Sequence, residues 1–327
     1  MIRITRKRVL YTLLFTFLTT VIAALAAGLY FKRQWLKDTP NTLAVDSELV
    51  TSFRWGPKQD AMLIPVRIEG FSTKFHMQFD TGSASTFLRS QAVEALMARG
   101  MEVDLFRKDE GTYIKSFEFA VGDATIVLKD GYVRGRTAEI DWDNPNASNL
   151  IGTIGADFLD QKVCEIDFPG KQLRLHSNRP KKFDGATFTP FAFKGRRIIL
   201  PVRVAGGDEH VFWDSGCSSF GLLTSAYYYH KLTDADVEET RFNANRHGDP
   251  VFIHRRESAQ PIEFGSTSCS IKNIAYANLY EAAQTAFGRF SGLVGFIGFL
   301  GNQPFNDCTL VIDSQQNEFL VIAPEAD

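Results

Sequence analysis

The chain carries the same string of segments twice, in the same order. Leu63-Ile64-Pro65-Val66-Arg67-Ile68-Glu69-Gly70 is matched by Ile199-Leu200-Pro201-Val202-Arg203-Val204-Ala205-Gly206. Gln78-Phe79-Asp80-Thr81-Gly82-Ser83 is matched by Phe212-Trp213-Asp214-Ser215-Gly216-Cys217. Leu88-Arg89-Ser90 answers Leu222-Leu223-Thr224, and Leu150-Ile151-Gly152-Thr153-Ile154-Gly155 answers Leu293-Val294-Gly295-Phe296-Ile297-Gly298. Glu165-Ile166-Asp167 with Leu173-Arg174-Leu175 answers Val311-Ile312-Asp313 with Phe319-Leu320-Val321. One such match could arise by chance, but an ordered series requires an internal duplication. Two similar lobes are expected, over 45–178 and 185–327, with 179–184 joining them. Pro180 and Asp184 suit a surface connection there. The second copy is longer, and its extra residues fall between Asp214 and Gly265.

Each copy reads as β structure, which makes the body all-β with few short helices. Met62–Ile68 and Ile198–Val204 are β-branched runs, and Leu49–Phe53 reads as an early strand. Ile114–Val121 and Ala124–Leu128 alternate about Gly122-Asp123, a hairpin signal. Phe168-Pro169-Gly170-Lys171 is a turn between Val163–Asp167 and Gln172–Leu175. Ser90 is expected to cap a helix over Gln91–Arg99 that Gly100 ends, and Thr224 or Ser225 to open one over Ala226–Leu232. The 28 Phe against 9 Tyr fit two apolar β lobes.

Ahead of the duplicated body, Val9–Phe31 is free of charge and long enough to span a bilayer as a helix. Residues 1–8 would form a basic cytoplasmic tail, 9–31 a transmembrane signal anchor and 32–44 a stalk. Arg3, Arg6, Lys7 and Arg8 before the stretch orient the body outside the cytoplasm, as in a bacterial periplasm or envelope. A cleavable signal peptide is the competing reading, with Ala24-Leu25-Ala26 as the cleavage site and a secreted body as the result.

The carboxylates Asp80 and Asp214 carry the chemistry. Each ends an apolar strand and is followed by a small hydroxyl residue and glycine. The hydroxyls of Thr81 and Ser215 can hydrogen-bond across a lobe junction, and Gly82 and Gly216 let backbone amides approach the carboxylates. On a pseudo-twofold axis the two carboxylates would face each other and share one proton, giving a base and an acid with no metal.

On these residues the chain resembles the aspartic proteases in their two-lobed, pepsin-like form, with lobes of retroviral type. Phe79-Asp80-Thr81-Gly82-Ser83 and Trp213-Asp214-Ser215-Gly216 are the Asp motifs, and Leu150-Ile151-Gly152 and Leu293-Val294-Gly295 the glycine segments. The resemblance covers about residues 45–325. It implies two β-barrel lobes about a pseudo-twofold axis, an interlobe cleft and a water held by Asp80 and Asp214 that hydrolyses peptide bonds. Thr81, Gly82, Ser83, Ser215, Gly216 and Cys217 are then active-site support, with Gly152 and Gly295 behind the Asp loops. A flap is implied over Lys108–Tyr113, with Gly111, Thr112 and Tyr113 against the substrate. Cys217 departs from the pattern, because a thiol is a poorer hydrogen-bond partner than the hydroxyl of Ser83.

Other classes fare less well. A charge of −2 lacks the basic excess of a nucleic-acid binder. The six histidines are scattered without metal-ligand spacing and read as surface or loop residues, so neither metal nor cofactor is expected. Arg246, Arg255, Arg256 and Glu257 in the longer second copy read as specificity determinants or a solvated face. A Cys164–Cys308 bridge is an open option. The expected partners are a peptide or protein substrate and a membrane, with a monomeric catalytic unit. An inactive peptide-binding protein on the same fold and a two-carboxylate glycosidase are the alternatives.

Overall fold

A computed structural model describes residues 6–35, 37, 42–57, 61–135, 139–144, 146–246, 249–277 and 296–324. The chain is mainly β. In order along the first half run β1 (Leu43–Val45), β2 (Leu49–Ser52), β3 (Arg54–Trp55), β4 (Met62–Val66), β5 (Phe75–Phe79), β6 (Phe87–Leu88), β7 (Leu105–Lys108), β8 (Gly111–Val121), β9 (Ala124–Val133), β10 (Leu150–Ile154), β11 (Val163–Asp167) and β12 (Gln172–His176). The second half continues with β13 (Thr189–Pro190), β14 (Ala192–Lys194), β15 (Arg197–Val204), β16 (Gly207–Trp213), β17 (Leu222–Thr224), β18 (Glu239–Arg246), β19 (Asp249–Phe264), β20 (Thr267–Ala277), β21 (Gly298–Leu300), β22 (Thr309–Asp313) and β23 (Glu318–Ile322). The α-helices are α1 (Arg6–Trp35), α2 (Ser90–Ala98) and α3 (Ala226–Leu232).

These strands form three sheets. One runs β3-β4-β5-β10-β6-β9-β8-β7, with β1 added on β9; another runs β14-β15-β16-β21-β17-β20-β19-β18. Each position in the first order has its counterpart in the second. The parallel contacts also recur: β5 with β10 and β6 with β9 in one, β16 with β21 and β17 with β20 in the other. The third sheet, β13-β23-β22-β11-β12-β2, draws three strands from each half, and all its pairings are antiparallel. At its centre Glu165 of β11 faces Val311 of β22.

Strand alternation drives this assembly. β8 turns about Gly122 (φ 58°) into β9, and Phe117, Phe119, Ile126 and Leu128 are buried along the pair. Beneath the two large sheets one continuous apolar core joins Phe79, Phe158 and Ile166 to Trp213, Phe305 and Leu310.

Several local expectations are corrected. Arg89 is the N-cap of α2, and Ser90 is already inside the helix with no capping bond. At α3, by contrast, one of the two expected caps is found: the Ser225 hydroxyl accepts from the Tyr228 amide. His76 and His254 are buried rather than on the surface. Cys164 is fully buried as a thiol, and Cys308 faces Cys269 instead, with the sulfurs 3.7 Å apart. The charge-free N-terminal run lies within α1, where Leu13, Phe15 and Phe17 stay exposed and Thr20 bonds back to the Thr16 carbonyl at 2.8 Å. Among the described residues no helix is long and apolar enough to cross a membrane.

Outside the central sheet, the two halves are also held by Arg196. This buried guanidinium, just before β15, pairs with Asp160 of the first half at 2.8 Å and reaches the Ala84 carbonyl at 3.3 Å. Arg196→Met leaves Asp160 without its cation and is expected to cost about 3 kcal/mol, seen as a lower urea midpoint. Adding Asp160→Leu should return most of that loss. A single variant as stable as the parent would show that the pair does not hold the halves.

Candidate active site

β5 and β16 each deliver an aspartate at their C-terminal end. The Asp80 amide donates to the Ile154 carbonyl at 3.0 Å, and the Asp214 amide to the Leu300 carbonyl at 2.9 Å. Each aspartate is thus fixed by the parallel strand beside it, β10 or β21. The turns that follow meet each other across the junction.

Thr81 and Ser215 lock these turns together. The Thr81 amide donates to Ser215 Oγ at 2.9 Å, and the Ser215 amide to Thr81 Oγ1 at 3.0 Å. The Thr81 hydroxyl donates to the Trp213 carbonyl at 2.9 Å, and the Ser215 hydroxyl to the Phe79 carbonyl at 3.0 Å. Both residues are fully buried. Both amides and both hydroxyls of this crossing thus have a partner, and each of these bonds joins one half of the chain to the other.

Gly82 and Gly216 explain how the carboxylates come close. Their amides donate to Asp80 Oδ1 at 2.9 Å and Asp214 Oδ1 at 3.0 Å respectively. A Cβ on Gly82 would fall 2.6 Å from Asp214 Cγ, and one on Gly216 would fall 2.5 Å from Asp80 Cγ. Each glycine therefore lies against the other half's carboxylate, and any side chain would collide with it.

The two carboxyl groups therefore face each other across the junction. Removal from water raises the Asp214 carboxyl well above the usual carboxylate range, and the charge and hydrogen bond of Asp80 push the same way. The Gly216 amide and the Arg197 guanidinium oppose this only in part. The pair therefore holds a proton that an isolated carboxylate would release.

The other expected site residues fall in several places. The Ser83 hydroxyl donates to the Ser85 carbonyl at 2.8 Å rather than serving Asp80. Cys217 in the matching position thus withholds no carboxylate bond. Burial raises its thiol, with Asp214 and Asp80 adding to the effect. Gly152 packs β10 against β6, where a Cβ would meet the Phe87 carbonyl. Gly295 lies outside the described residues, and Gly298 of β21 holds the place that Gly152 has in β10. The same pairing sets Leu88 against Gly152 but Thr224 against Gly298, so the second Asp turn is longer than the sequence match implied. Gly111, Thr112 and Tyr113 open β8 just past the β7–β8 turn, with Lys108 opposite Gly111. Arg255 and Arg256 lie over Phe242 and Tyr229, and the Arg246 side chain is outside the description.

Some residues have no sequence signal of this kind. Asp157 is buried and accepts from the Thr86 amide at 2.8 Å and its hydroxyl at 2.7 Å, bracing the first turn. Burial pushes its carboxyl up to about 6. In the second half Asn302 does the bracing: its amide donates to Ser218 Oγ and the Ser215 carbonyl, and its oxygen accepts from Trp213 Nε1 at 3.0 Å. Arg89 feels the charge of Asp80, and Arg197 that of both aspartates. A cavity lined by Glu165, Lys182, Thr267 and Thr309 shares no residue with this site. Among the described residues, no group of three or more His, Cys, Asp or Glu is gathered for a metal ion.

No protein-family model matches the chain, and no curated protein matches it.

Thr81→Val removes two of the crossing bonds and leaves the Ser215 amide unpaired. A loss of about 3 kcal/mol is expected in urea unfolding, whereas Ser83→Ala should cost under about 1 kcal/mol. Equal effects from the two changes would contradict the assigned role of the crossing.

Proposed function

We propose that the chain is a two-lobed aspartic endopeptidase attached to a membrane through α1. The facing pair of Asp80 and Asp214, one from each half and each against the other half's glycine, carries this reading. A water seated between the carboxyls would lose its proton to the ionised one as it attacks a peptide carbonyl. The protonated carboxyl would give its proton to the carbonyl oxygen, forming a tetrahedral diol. One carboxyl then protonates the leaving nitrogen while the other takes a hydroxyl proton from the diol, so the C–N bond breaks to an acid and an amine and the pair regains its single proton. The Gly82 and Gly216 amides keep the carboxyls oriented throughout. The close approach of the two carboxyls across Gly82 and Gly216 argues against a glycosidase, whose acid and partner stand at least ~5 Å apart.

The reading predicts cleavage of a diverse peptide mixture by the purified full chain in detergent. Asp80→Asn and Asp214→Asn should each lower kcat by at least about a thousandfold without unfolding the protein. The pH profile follows from the direction of the Asp214 shift. Below its raised value Asp214 keeps the proton that the mechanism needs, and activity falls as pH rises through that value. No cleavage by the parent, or cleavage unchanged in both variants, refutes peptidase activity.

Attachment through α1 is supported by its exposed apolar side chains, such as Leu13, Phe15 and Phe17, and by the basic residues at its start. The full chain should sediment with membranes and resist carbonate extraction, with the body open to protease added outside the cell membrane. Quantitative recovery of the full chain in the soluble fraction would remove the anchor from the proposal.

A further inference from the structure

The two flanks of the carboxylate pair differ in chemistry. Strand pairing sets Phe106, Tyr113, Tyr132 and Phe87 in one row across β7, β8, β9 and β6. The row continues through Thr153 to Gln78, which lies two residues before Asp80. Side chains alternate along a strand, so this row shares the face toward which Asp80 projects. Ile114, Leu88 and Val133 occupy the opposite face and are buried in the core.

Two arginines stand on the row. Arg134, two residues after Tyr132, places its guanidinium 4.2 Å from the Phe87 ring centre and 5.4 Å from that of Tyr132. Arg89, two residues after Phe87, lies 5.1 Å from the same Phe87 ring, and its Nε is buried without a hydrogen-bond partner. Arg89 and Arg134 feel each other's charge. Among the described residues neither arginine forms a salt bridge. Contact with the rings positions the two guanidinium groups, whose planar edges carry paired N–H donors.

The second half lacks this feature. Leu223 and Ala275 hold the positions of Phe87 and Tyr132, and Ala277 that of Arg134. They join an apolar cluster with Phe220 and Val251, against which Cys217 and Phe242 pack.

We infer that Arg89 and Arg134, held on Phe87 and Tyr132, form a subsite that selects peptide substrates with an acidic side chain on the first-half flank of the cleaved bond. The inference rests on the peptidase reading and adds its substrate class. A carboxylate there would accept paired N–H bonds from a planar guanidinium, whereas the matching amide could not pair with both donors. The apolar second flank would leave the opposite side of the bond without a charge preference.

The test uses the full chain in detergent and a peptide series with Glu, Gln or Lys at each position around the cleaved bond. On one flank, kcat/KM for Glu should exceed that for Gln by roughly fivefold or more and converge as salt is raised. Arg89→Gln and Arg134→Gln should each move the Glu/Gln ratio toward one. Arg134→Glu should turn the preference toward Lys. Anisotropy of labelled peptides on the Asp214→Asn protein reads the same ratio without turnover, with thermal unfolding as the folding control. Acid-selective binding without cleavage by the parent would sink the peptidase reading and keep the subsite. A Glu/Gln ratio near one in both readouts, or a ratio that none of the folded arginine variants alters, overturns the subsite.

Discussion

The crossing of Thr81 and Ser215 is the interaction on which the site depends. Each residue uses its amide and its hydroxyl to bond the other half, in a region with no water to compete. Such bonds are modest in net energy when made and costly when one partner is missing. They therefore act less as glue than as a positional constraint. Any shift of one half against the other would orphan several buried donors and acceptors together. The carboxylates, one residue back from the crossing, inherit this precision. Tilting Phe79 toward Trp213 and setting Trp213 edge-on to Phe305 fills the volume below, so the turns rest on packed aromatic rings.

The near-symmetry of the halves stops at the supports. Thr86 and Asp157 brace the first turn with a buried carboxylate, while Asn302 braces the second with a neutral amide that also satisfies Trp213. A carboxylate only accepts hydrogen bonds, whereas an amide both donates and accepts. The second arrangement follows from the longer turn, which brings the Ser218 hydroxyl and the Ser215 carbonyl to the same place. Arg197 stands near both aspartates at the start of β15, where the first half has Ala61 just before β4. Two chemically identical carboxylates therefore sit in unlike surroundings.

Much of the arrangement was legible in the sequence because repetition reports on backbone placement. The repeated Ile64-Pro65-Val66 and Leu200-Pro201-Val202 lie in β4 and β15, and both aspartates follow the central strands β5 and β16. Register was harder. Phe296-Ile297-Gly298 and Leu293-Val294-Gly295 are equally good hydrophobic-hydrophobic-glycine runs, and only pairing with β17 selects Gly298. The role of Ser90 was misplaced by a single residue, which is all that separates a cap from a first helical turn. Asp157, Asn302, Arg89 and Arg134 could not be found from motif spacing. Their importance comes from side chains meeting across strands distant in sequence, and nothing local marks such a meeting. His76 and His254 were misread for the same reason, since burial is set by what packs above them.

The central sheet carries a consequence in time. β11 ends the pairing that the first half can make for itself, and its open edge is filled by β22, near the far end of the chain. During synthesis the first half must wait with that edge unpaired until Thr309–Asp313 has emerged. Asp80 is made early, yet it gains its neighbour only when nearly all of the chain exists. The order of the strands thus sets a clock: the facing pair of Asp80 and Asp214 is completed among the last events of folding.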